Sequence, residues 1–491
     1  MSTAIEQLLL QPEGKTLEFK RDLSSPRNAL KTLVAFANSA GGRLVIGVDD
    51  ARQVTGVIEP LDEEERICNL IADSIAPRLV PQVELASIDG RTVLVVEVFP
   101  SNSRPHYLKS LGPQQGVYVR LGSSSRQAGP ELVAELGRAA QGVVFDELPM
   151  PELGPQDLDL QAAQRWFGPR RILDEKALTT LKLLRHEQGR LVPTQGAVLL
   201  FGKTRAQYFP DAWVQCGRFR GRDKVEIFDQ TEIHEHLPDA VTAIELFLKK
   251  HAFKSAQFGA MRRKDVWSIP LGMLREAIVN ALVHSDYSQR GTPIRVAFFD
   301  DRIDIESPGL LLPGMTVEDM KNGVSRIRNP VIARVFRELQ LIEQWGSGVR
   351  RIFADAAEQG LPEPVITEIA TGLRLSIYLR EPMQVDRQGP EPLGAQSEAQ
   401  SEAQSEAQSD RVLQLLTAGP SSANALALGL GLKTKTGALK RTIKALVEQG
   451  LIAYTVPNKP DSRLQQYRLT EAGRKALARL TPAASLKDDH A

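Results

Sequence analysis

One segment of this 491-residue chain cannot belong to a folded core. Residues 389–410, GPEPLGAQSEAQSEAQSEAQSD, begin with proline and glycine and then repeat Ala-Gln-Ser-Glu, with no bulky apolar side chain after Leu393. Ala, Gln and Glu are compatible with a short helix, but such a helix would have no apolar face with which to dock. The segment is therefore predicted to be a flexible linker that divides the chain.

A second, weaker boundary falls near residues 140–155, where prolines and acidic residues cluster. At about 150 residues per domain, the chain length predicts roughly three domains. The expected fold class is multidomain α/β (α+β). The predicted domains are an N-terminal domain at 10–140, a middle domain at 155–382 with its core at 265–380, and a C-terminal domain at 411–480.

Composition favours a globular protein, because 42% of the residues are hydrophobic and 25% are charged. The only cysteines, Cys68 and Cys216, lie far apart, which excludes a disulfide scaffold and fits a reducing compartment. No apolar run approaches the roughly 18–20 residues of a membrane span, and the first residues lack a signal-peptide pattern. We therefore expect a cytoplasmic protein with no membrane partner.

The net charge of +1 conceals a basic C-terminal region. Residues 411–480 contain 12 Lys or Arg and 3 Asp or Glu, so the rest of the chain is acidic overall. A basic module of this kind indicates a polyanionic partner, most simply DNA, although a solvated basic face would have the same composition.

The pattern of residues 411–480 predicts three short helices and then a β-hairpin. In the third helix, about 436–448, four apolar residues are predicted to face inward: Leu439, Ile443, Leu446 and Val447. This order resembles a winged helix-turn-helix, whose last helix enters the DNA major groove while the wing touches phosphates. The predicted DNA contacts are Lys433, Lys435, Lys440, Arg441, Lys444, Lys459 and Arg463. A winged helix that binds protein is the alternative.

The N-terminal region predicts a mixed α/β domain. A strand at Thr16–Leu23 is followed by a helix from Pro26 to about Ser39, and Arg43–Val48 is predicted to be the next strand. Three motifs, LEFKRDL, LVAFANSAGGRLVIGVDD and GVYVRLGSSSRQA, closely resemble the Schlafen-type AlbA-like domain over about 115 residues. The resemblance implies binding to DNA or RNA.

The same resemblance raises the question of a nuclease. In eukaryotic Schlafen proteins a related fold carries an acidic RNase site. Here Glu13 and Glu18 are five residues apart, and either Asp49 or Asp50, at the end of a neighbouring strand, would supply a third carboxylate. Clustered carboxylates could hold a divalent cation that activates water. The alternative is that Glu18 pairs with Lys20 or Arg43 while the two aspartates form a turn.

The most informative stretch is 271–295, LGMLREAIVNALVHSDYSQRGTPIR. Five apolar residues at helical spacing predict a stripe that faces the core: Leu274, Ala277, Ile278, Ala281 and Leu282. Glu276, Asn280 and His284 follow one another at four-residue spacing on another face. Asn can supply an oxygen to Mg²⁺ and Glu can polarise an attacking water, but the spacing alone is a weak signal.

The sequence that follows strengthens this signal. A strand ending at Pro308-Gly309 precedes the pair Gly346 and Gly348, which stand before an amphipathic helix where backbone N–H groups can approach phosphates. The order of elements resembles the GHKL (histidine-kinase, gyrase, Hsp90-like) ATPase fold. More narrowly, it resembles the divergent ATP-binding family that commonly follows Schlafen-type AlbA-like domains in bacterial proteins. The matching segments are REAIVNALVHSDYS, SPGLLLPG, IRNPVIARVF and LIEQWGSGVRRI.

The resemblance implies ATP and Mg²⁺ as ligands and a weak ATPase activity. Glu276 would be the general base, Asn280 the Mg²⁺ ligand, and Gly346 with Gly348 the phosphate loop. The segment DIESPG, which ends at Gly309, would correspond to the family's adenine-binding motif, and either Asp304 or Glu306 would contact the adenine amino group. The segment departs from that motif, because it lacks the D-x-G-x-G spacing. The HxDY element that begins at His284 is expected either to close the helix or to contact the nucleotide.

Two other motifs are set aside. The segment from Gly196 to Thr204 nearly matches a P-loop, but its first glycine is one residue too far away and Val198–Phe201 is predicted to be a strand. His234-Glu235-His236 lacks the helical spacing of a zinc site. No metal is expected other than Mg²⁺ linked to a nucleotide.

Together these features predict a DNA-binding transcriptional regulator with an ATP-responsive GHKL-like module. Because winged-helix regulators usually occupy paired half-sites, we expect a homo-oligomer formed through residues 1–382. It would be associated with the nucleoid when bound to DNA. The alternative is a Schlafen-like, metal-dependent nuclease that acts on RNA or DNA in defence or stress response. A third possibility is an ATPase that remodels nucleic acid, but no helicase motor motifs are visible in the sequence.

Overall fold

The structure is a computed structural model. It describes residues 2–252, 254–258, 263–342, 348–380, 411–430, 442–443, 446–447, 449–455 and 466–480. The chain divides into two compact units, Met1–Val385 and Asp386–Ala491. The predicted linker at 389–410 lies outside the described residues. Within the described part of the chain, no helix is long and apolar enough to cross a membrane.

The first unit begins with a sheet that has helices on both faces. Its elements are α1 (Ser2–Leu9), β1 (Leu17–Lys20), α2 (Pro26–Asn38), β2 (Gly42–Ile46), α3 (Pro60–Ser74), β3 (Ile75–Ala76), β4 (Gln82–Ile88), β5 (Arg91–Val98), β6 (Tyr107–Leu108), α4 (Gly112–Gln115), β7 (Tyr118–Leu121), β8 (Ser124–Gln127) and α5 (Pro130–Ala140). The main sheet has the order β1-β2-β5-β4, with β1 and β2 parallel and the other pairs antiparallel. β1, α2 and β2 lie close to their predicted positions.

Apolar residues fill both faces of this first sheet. Helices α2 and α3 bury one cluster against it, and residues of α1 pack on a cluster on the other face. Gly41 lies in the turn after α2 and has φ +79°, and a Cβ there would lie 2.7 Å from the Val98 carbonyl oxygen. Glycine therefore lets the turn after α2 pack directly against the end of β5.

The rest of the first unit is built around a six-stranded sheet. Its elements are α6 (Leu160–Phe167), α7 (Glu175–Thr180), β9 (Leu184–Glu187), β10 (Arg190–Pro193), α8 (Gln195–Phe201), α9 (Arg205–Tyr208), β11 (Val214–Arg220), β12 (Glu226–Ile233), α10 (Leu237–Lys250), β13 (Lys254–Phe258), β14 (Arg263–Trp267), α11 (Leu271–His284), β15 (Ile294–Phe298), β16 (Arg302–Pro308), α12 (Val317–Lys321), α13 (Pro330–Glu338), α14 (Gly348–Glu358), β17 (Val365–Ile369) and β18 (Gly372–Tyr378). The strand order is β12-β11-β15-β16-β18-β17, with only β11 and β15 parallel among these pairs.

The largest apolar core lies on the helical side of this sheet. The predicted stripe on α11 is confirmed, because all five of its apolar residues are buried. The strand predicted at Val198–Phe201 is wrong, since these residues belong to helix α8, which is capped by the Thr194 hydroxyl. Every residue from 196 to 201 is buried, and an apolar run buried on all sides has the same composition in a helix or a strand.

The second unit is small and has its own apolar core. Residues 411–415 are helical, Ala423–Gly429 form a helix capped by Ser422, and Ile452–Tyr454 pair antiparallel with Tyr467–Leu469. A final helix, Glu471–Leu480, was not predicted. Of the predicted third helix only 442–443 and 446–447 are described, and there Ile443 and Leu446 are buried as expected. All seven predicted DNA-contact residues lie outside the described residues.

Candidate functional site

A cavity of about 310 Å³ lies in the first unit, between α11, α14, β16 and the loop after β16. Apolar side chains form much of its wall, and a few polar and charged groups face inward. A partly apolar cavity with convergent polar groups is the usual form of a small-molecule site.

The predicted pair on α11 faces this cavity. The Asn280 side-chain Nδ2 donates a hydrogen bond to Glu276 Oε1 at 3.0 Å, and both residues line the wall together with His284. Burial, together with the nearby Arg328 guanidinium, lowers the pKa of His284 to about 4. The imidazole is therefore neutral at neutral pH, and the structure brings together all three residues of the predicted face.

Helix α14 begins against the same pair. Gly348 lines the cavity, and a Cβ at this position would overlap Glu276 Oε1 and lie 3.2 Å from Asn280 Nδ2. Only glycine therefore allows the start of α14 to approach α11 this closely. Backbone N–H groups at a helix start favour anions, so the arrangement suits a phosphate near Glu276 and Asn280. Gly346 lies outside the described residues.

Strand β16 separates its predicted residues onto two faces. Ile305 and Ser307 line the cavity, as does Gly309 after the strand. Because side chains alternate along a strand, Asp304 and Glu306 lie on the opposite face.

There the two acids have cationic partners. Asp304 Oδ1 lies 3.2 Å from Arg302 Nε, whereas Glu306 Oε1 accepts hydrogen bonds from Lys224 Nζ at 2.9 Å and Arg374 Nε at 3.0 Å. The structure does not bring either acid into the cavity, and the predicted contact with adenine has no support in this geometry.

Three arginines line the cavity, one of them paired with Glu135 outside it, and sequence reasoning missed all three. Arg326, Arg328 and Arg337 line the wall, where Glu276 is the only carboxylate among the described lining residues. Arg328 donates to the carbonyl oxygens of His284 and Leu310. An excess of guanidinium groups favours an anionic ligand.

The HxDY element closes α11. The Asp286 N–H donates to the Pro308 carbonyl at 2.8 Å, and the Tyr287 hydroxyl donates to the Leu282 carbonyl at 2.7 Å. Asn329 Nδ2 donates to the carbonyl of Val283 in the last turn of the helix and to that of Ser285 just after it. These contacts satisfy the helix end, and Asp286 and Tyr287 do not line the cavity. Of the two predicted roles for this element, the contacts match helix closure.

The acidic residues of the N-terminal domain do not form a metal site. Glu18 Oε2 pairs with Arg120 at 3.1 Å and Glu18 Oε1 pairs with Lys20. Glu13 Oε1 accepts the N–H of Phe19 at 2.8 Å.

Asp49 and Asp50 have other environments. Asp49 Oδ1 accepts the Gln53 N–H within a turn, and Asp50 is exposed. In the part of the chain that the structure describes, no group of three or more His, Cys, Asp or Glu could hold a metal ion. The predicted nuclease cluster is therefore corrected to an ion pair and a turn, with Arg120 in place of Arg43, which pairs with Glu97.

Three family models match separate parts of the chain. Residues 13–129 match "Schlafen, AlbA_2", residues 291–377 match HATPase_c_4, "Putative ATP-dependent DNA helicase recG C-terminal", and residues 407–470 match "Filamentation induced by cAMP protein Fic-like, C-terminal domain". The chain contains a Schlafen AlbA_2 domain followed by an HATPase_c_4 domain. It is a multidomain mixed α/β protein, and these two matches indicate a DNA-binding, ATP-related protein. The HATPase_c_4 match begins after α11, so it does not include Glu276 and Asn280.

Two solved structures resemble the chain. The crystal structure of the DIP2311 protein from Corynebacterium diphtheriae is 21% identical, covers 97% of this chain and 98% of its own, and has a TM-score of 0.41. The solution structure of the N-terminal domain of a RecG-related protein from Nitrosomonas europaea is 28% identical, covers 26% of this chain and 92% of its own, and has a TM-score of 0.21. No curated protein matches the chain at a significant level.

Proposed function

We propose that the protein is a DNA-binding transcriptional regulator whose HATPase_c_4 domain binds ATP with Mg²⁺ in the cavity beside α11. The observation that carries this proposal is the meeting of Glu276, Asn280 and Gly348 in one cavity that also contains three arginines. A carboxylate, a carboxamide and a helix start at one place are what a magnesium-bound triphosphate requires.

Each group has a distinct task in this proposal. The Asn280 side-chain oxygen would hold Mg²⁺, and the N–H groups at the start of α14 would bind phosphate oxygens. Glu276 would polarise the attacking water if ATP is hydrolysed. The apolar wall around Ile305 would hold the base and ribose.

The C-terminal unit is proposed to be a winged helix that binds DNA. Its support is the excess of basic residues over 411–480 and the helix, helix and hairpin order of its described parts. The AlbA_2 domain supplies a second nucleic-acid contact, to DNA or RNA. We further propose a homo-oligomer, because one winged helix recognises only a few base pairs.

Calorimetry with ATP and Mg²⁺ tests the nucleotide site. Asn280→Ala should weaken binding about tenfold or more, because a metal ligand is lost, whereas Glu276→Ala should retain binding and suppress any hydrolysis. Asn28→Ala, at an exposed position of α2, is the matched control and should bind like the wild type. Absence of ATP binding by the wild-type chain would overturn the proposal.

Sequencing of protein-bound DNA tests the regulatory function. The double variant Lys440→Ala/Arg441→Ala should weaken DNA binding and flatten its salt dependence, since each residue is proposed to contact a groove or a phosphate. Unchanged binding by the double variant would move the DNA interface to the AlbA_2 domain. A parallel RNA-degradation assay should detect no cleavage, and metal-dependent cleavage lost in Glu18→Gln would favour the nuclease instead.

A further inference from the structure

One wall of the cavity is a loop that also contacts the N-terminal domain. The loop Gly309–Met315, here called the wall loop, follows β16 and places five of its residues in the cavity lining: Gly309, Leu310, Leu311, Leu312 and Met315. Gly309 has φ +105°, and a Cβ there would overlap the Arg328 guanidinium. The path of the wall loop therefore depends on glycine and on the position of Arg328.

The N-terminal domain holds the wall loop by three separate polar links. Gly314 N–H donates directly to the Ser39 carbonyl at the end of α2, at 2.9 Å. Glu368 Oε1 accepts both the Leu311 N–H at 3.0 Å and Lys15 Nζ at 2.6 Å. These links tie the wall loop to two segments of the N-terminal domain that are adjacent to its sheet.

The third link passes through Arg328. Its guanidinium Nη2 pairs with Glu135 Oε1 of α5 at 3.0 Å and donates to the Leu310 carbonyl. The Leu310 side chain packs against an apolar cluster of the N-terminal domain that includes Val117 and Leu136. Hence Glu135, which does not line the cavity, sets the position of an arginine and of a backbone segment that do.

Both ion pairs are largely withdrawn from water. The side chains of Lys15 and Glu368 are 15% and 6% exposed, and those of Arg328 and Glu135 are 8% and 12% exposed. Removing one partner of such a pair leaves the other charge buried and uncompensated, which disturbs its surroundings far more than the loss of a surface pair does. The wall loop should therefore respond to changes at Lys15 and Glu135.

The same junction joins the three motifs of the AlbA_2 domain. Ser39 Oγ accepts the Arg120 N–H at 2.9 Å, Arg120 pairs with Glu18, and Asn38 Nδ2 donates to the Tyr118 carbonyl at 3.0 Å. One residue from each motif thus meets at the end of α2, where the Ser39 carbonyl holds the wall loop. A shift of the wall loop has a short, hydrogen-bonded path to all three motifs.

We infer that Lys15 and Glu135 are positioning residues for the cavity, through which ligand binding at the wall loop is coupled to the three motifs of the AlbA_2 domain. The inference rests on the proposed nucleotide site and adds its regulation. Because coupling between two sites is reciprocal, nucleic acid bound at the motifs would change the affinity of the cavity by the same factor as nucleotide changes that of the motifs.

Calorimetry with ATP and Mg²⁺ on the full chain gives the first test. Lys15→Met and Glu135→Gln should each weaken ATP binding about fivefold or more, within the usual range of coupling between sites. Lys15→Arg keeps the cation and should restore near wild-type affinity. Glu131→Gln makes the same change at an exposed position of α5 and is the matched control.

Hydrogen–deuterium exchange gives a second test. If Lys15 and Glu135 only stabilised the fold, their substitution would not change the effect of ATP on exchange in the AlbA_2 motifs. Saturating ATP and Mg²⁺ should slow exchange in peptides covering 36–42 and 116–128 of the wild-type chain. The slowing should be reduced in Lys15→Met and Glu135→Gln at ATP concentrations that saturate them, and it should persist in Glu131→Gln. ATP binding by the wild type with unchanged exchange in these peptides would overturn the coupling and leave the nucleotide site intact. Absence of ATP binding would overturn the proposed function and the inference with it.

Discussion

Glu18 of the AlbA_2 domain and Glu276 of α11 are both glutamates at least partly withdrawn from bulk water, yet their neighbours differ. Glu18 lies between two cations, Lys20 and Arg120, and its side chain is 10% exposed. Glu276 faces a cavity, where it accepts a hydrogen bond from the neutral amide of Asn280. A carboxylate enclosed by cations holds the fold together, whereas a carboxylate at a cavity wall can reach a ligand.

Arg120→Met tests the structural side of this comparison and should have the largest effect. Arg120 is 1% exposed, donates to the Gly14 carbonyl, and its guanidinium lies 5.1 Å from the centre of the Phe36 ring. Its removal leaves the Glu18 charge poorly compensated, so the free energy of unfolding should fall by about 3–5 kcal/mol. Urea denaturation followed by far-UV circular dichroism measures the change.

The control for this variant is Arg126→Met, at an exposed position of β8. It should change the free energy of unfolding by less than about 0.5 kcal/mol. If Arg120→Met behaved in the same way, the Glu18–Arg120 pair would not be structural, and a role for Glu18 in metal binding would be open again.

Asp146 extends the comparison to a buried carboxylate that accepts hydrogen bonds from backbone N–H groups. Burial raises its pKa to about 7, although hydrogen bonds from the N–H groups of Val331 and Ile332 act to lower it. A carboxyl pKa raised above its ordinary value of 3.8 stabilises the fold at low pH, and this contribution is lost as pH rises through about 7. A tenfold difference in proton affinity between the folded and unfolded states corresponds to roughly 1.4 kcal/mol.

Urea denaturation at about pH 5 and pH 8 measures this effect. Asp146→Asn should remove part of the loss of stability between the two pH values, whereas Asp50→Asn, at an exposed position, should not. His284 acts in the opposite direction, because its lowered pKa favours the folded state at high pH, so the difference between the two variants isolates Asp146. Identical pH profiles for the wild type and Asp146→Asn would contradict the prediction.

Gly348→Ala tests the cavity side of the comparison. The added Cβ would overlap Glu276 Oε1 and push α14 away from α11, so ATP affinity should fall about tenfold, equivalent to about 1.4 kcal/mol. Gly272→Ala is the control, since a Cβ at this helical position of α11 meets open space. Equal affinities of the two variants in calorimetry would place the ligand away from the start of α14.

The smallest expected effect concerns the base. Asp304 and Glu306 lie on the far face of the sheet, and Glu276 is the only carboxylate among the described lining residues. Without a side-chain acid to accept the adenine amino group, ATP and GTP should bind within about threefold of each other. Competition calorimetry measures the ratio, and a strong preference for ATP would show that another group reads the base.

Local spacing explains what could be predicted in the cavity. Glu276 and Asn280 are one helical turn apart, so their proximity needs only the helix, and the apolar stripe beside them predicts that helix. The outward position of Asp304 and Glu306 was also available from the sequence. Arg302–Pro308 alternates polar and apolar residues, and Ile303 and Ile305 belong on the face that packs against helices.

The arginines could not be predicted. Arg120 lies 102 residues from Glu18, and the pairing depends on how two strands and a helix end come together. The same holds for Arg328 and Glu135, which belong to different domains. The helix Glu471–Leu480 was missed although its start carried a signal, since the Thr470 hydroxyl accepts the N–H of Gly473.

The wall loop has a consequence for how the two domains can be inherited. Its backbone is fixed from one side by residues of the HATPase_c_4 domain and from the other by Lys15, Ser39 and Glu135. A substitution in the loop must therefore be compatible with both domains. If one domain were exchanged for that of another protein by recombination near residues 140–155, the contacts that fix the wall loop would no longer match. The two domains must therefore be exchanged together if the cavity is to be preserved.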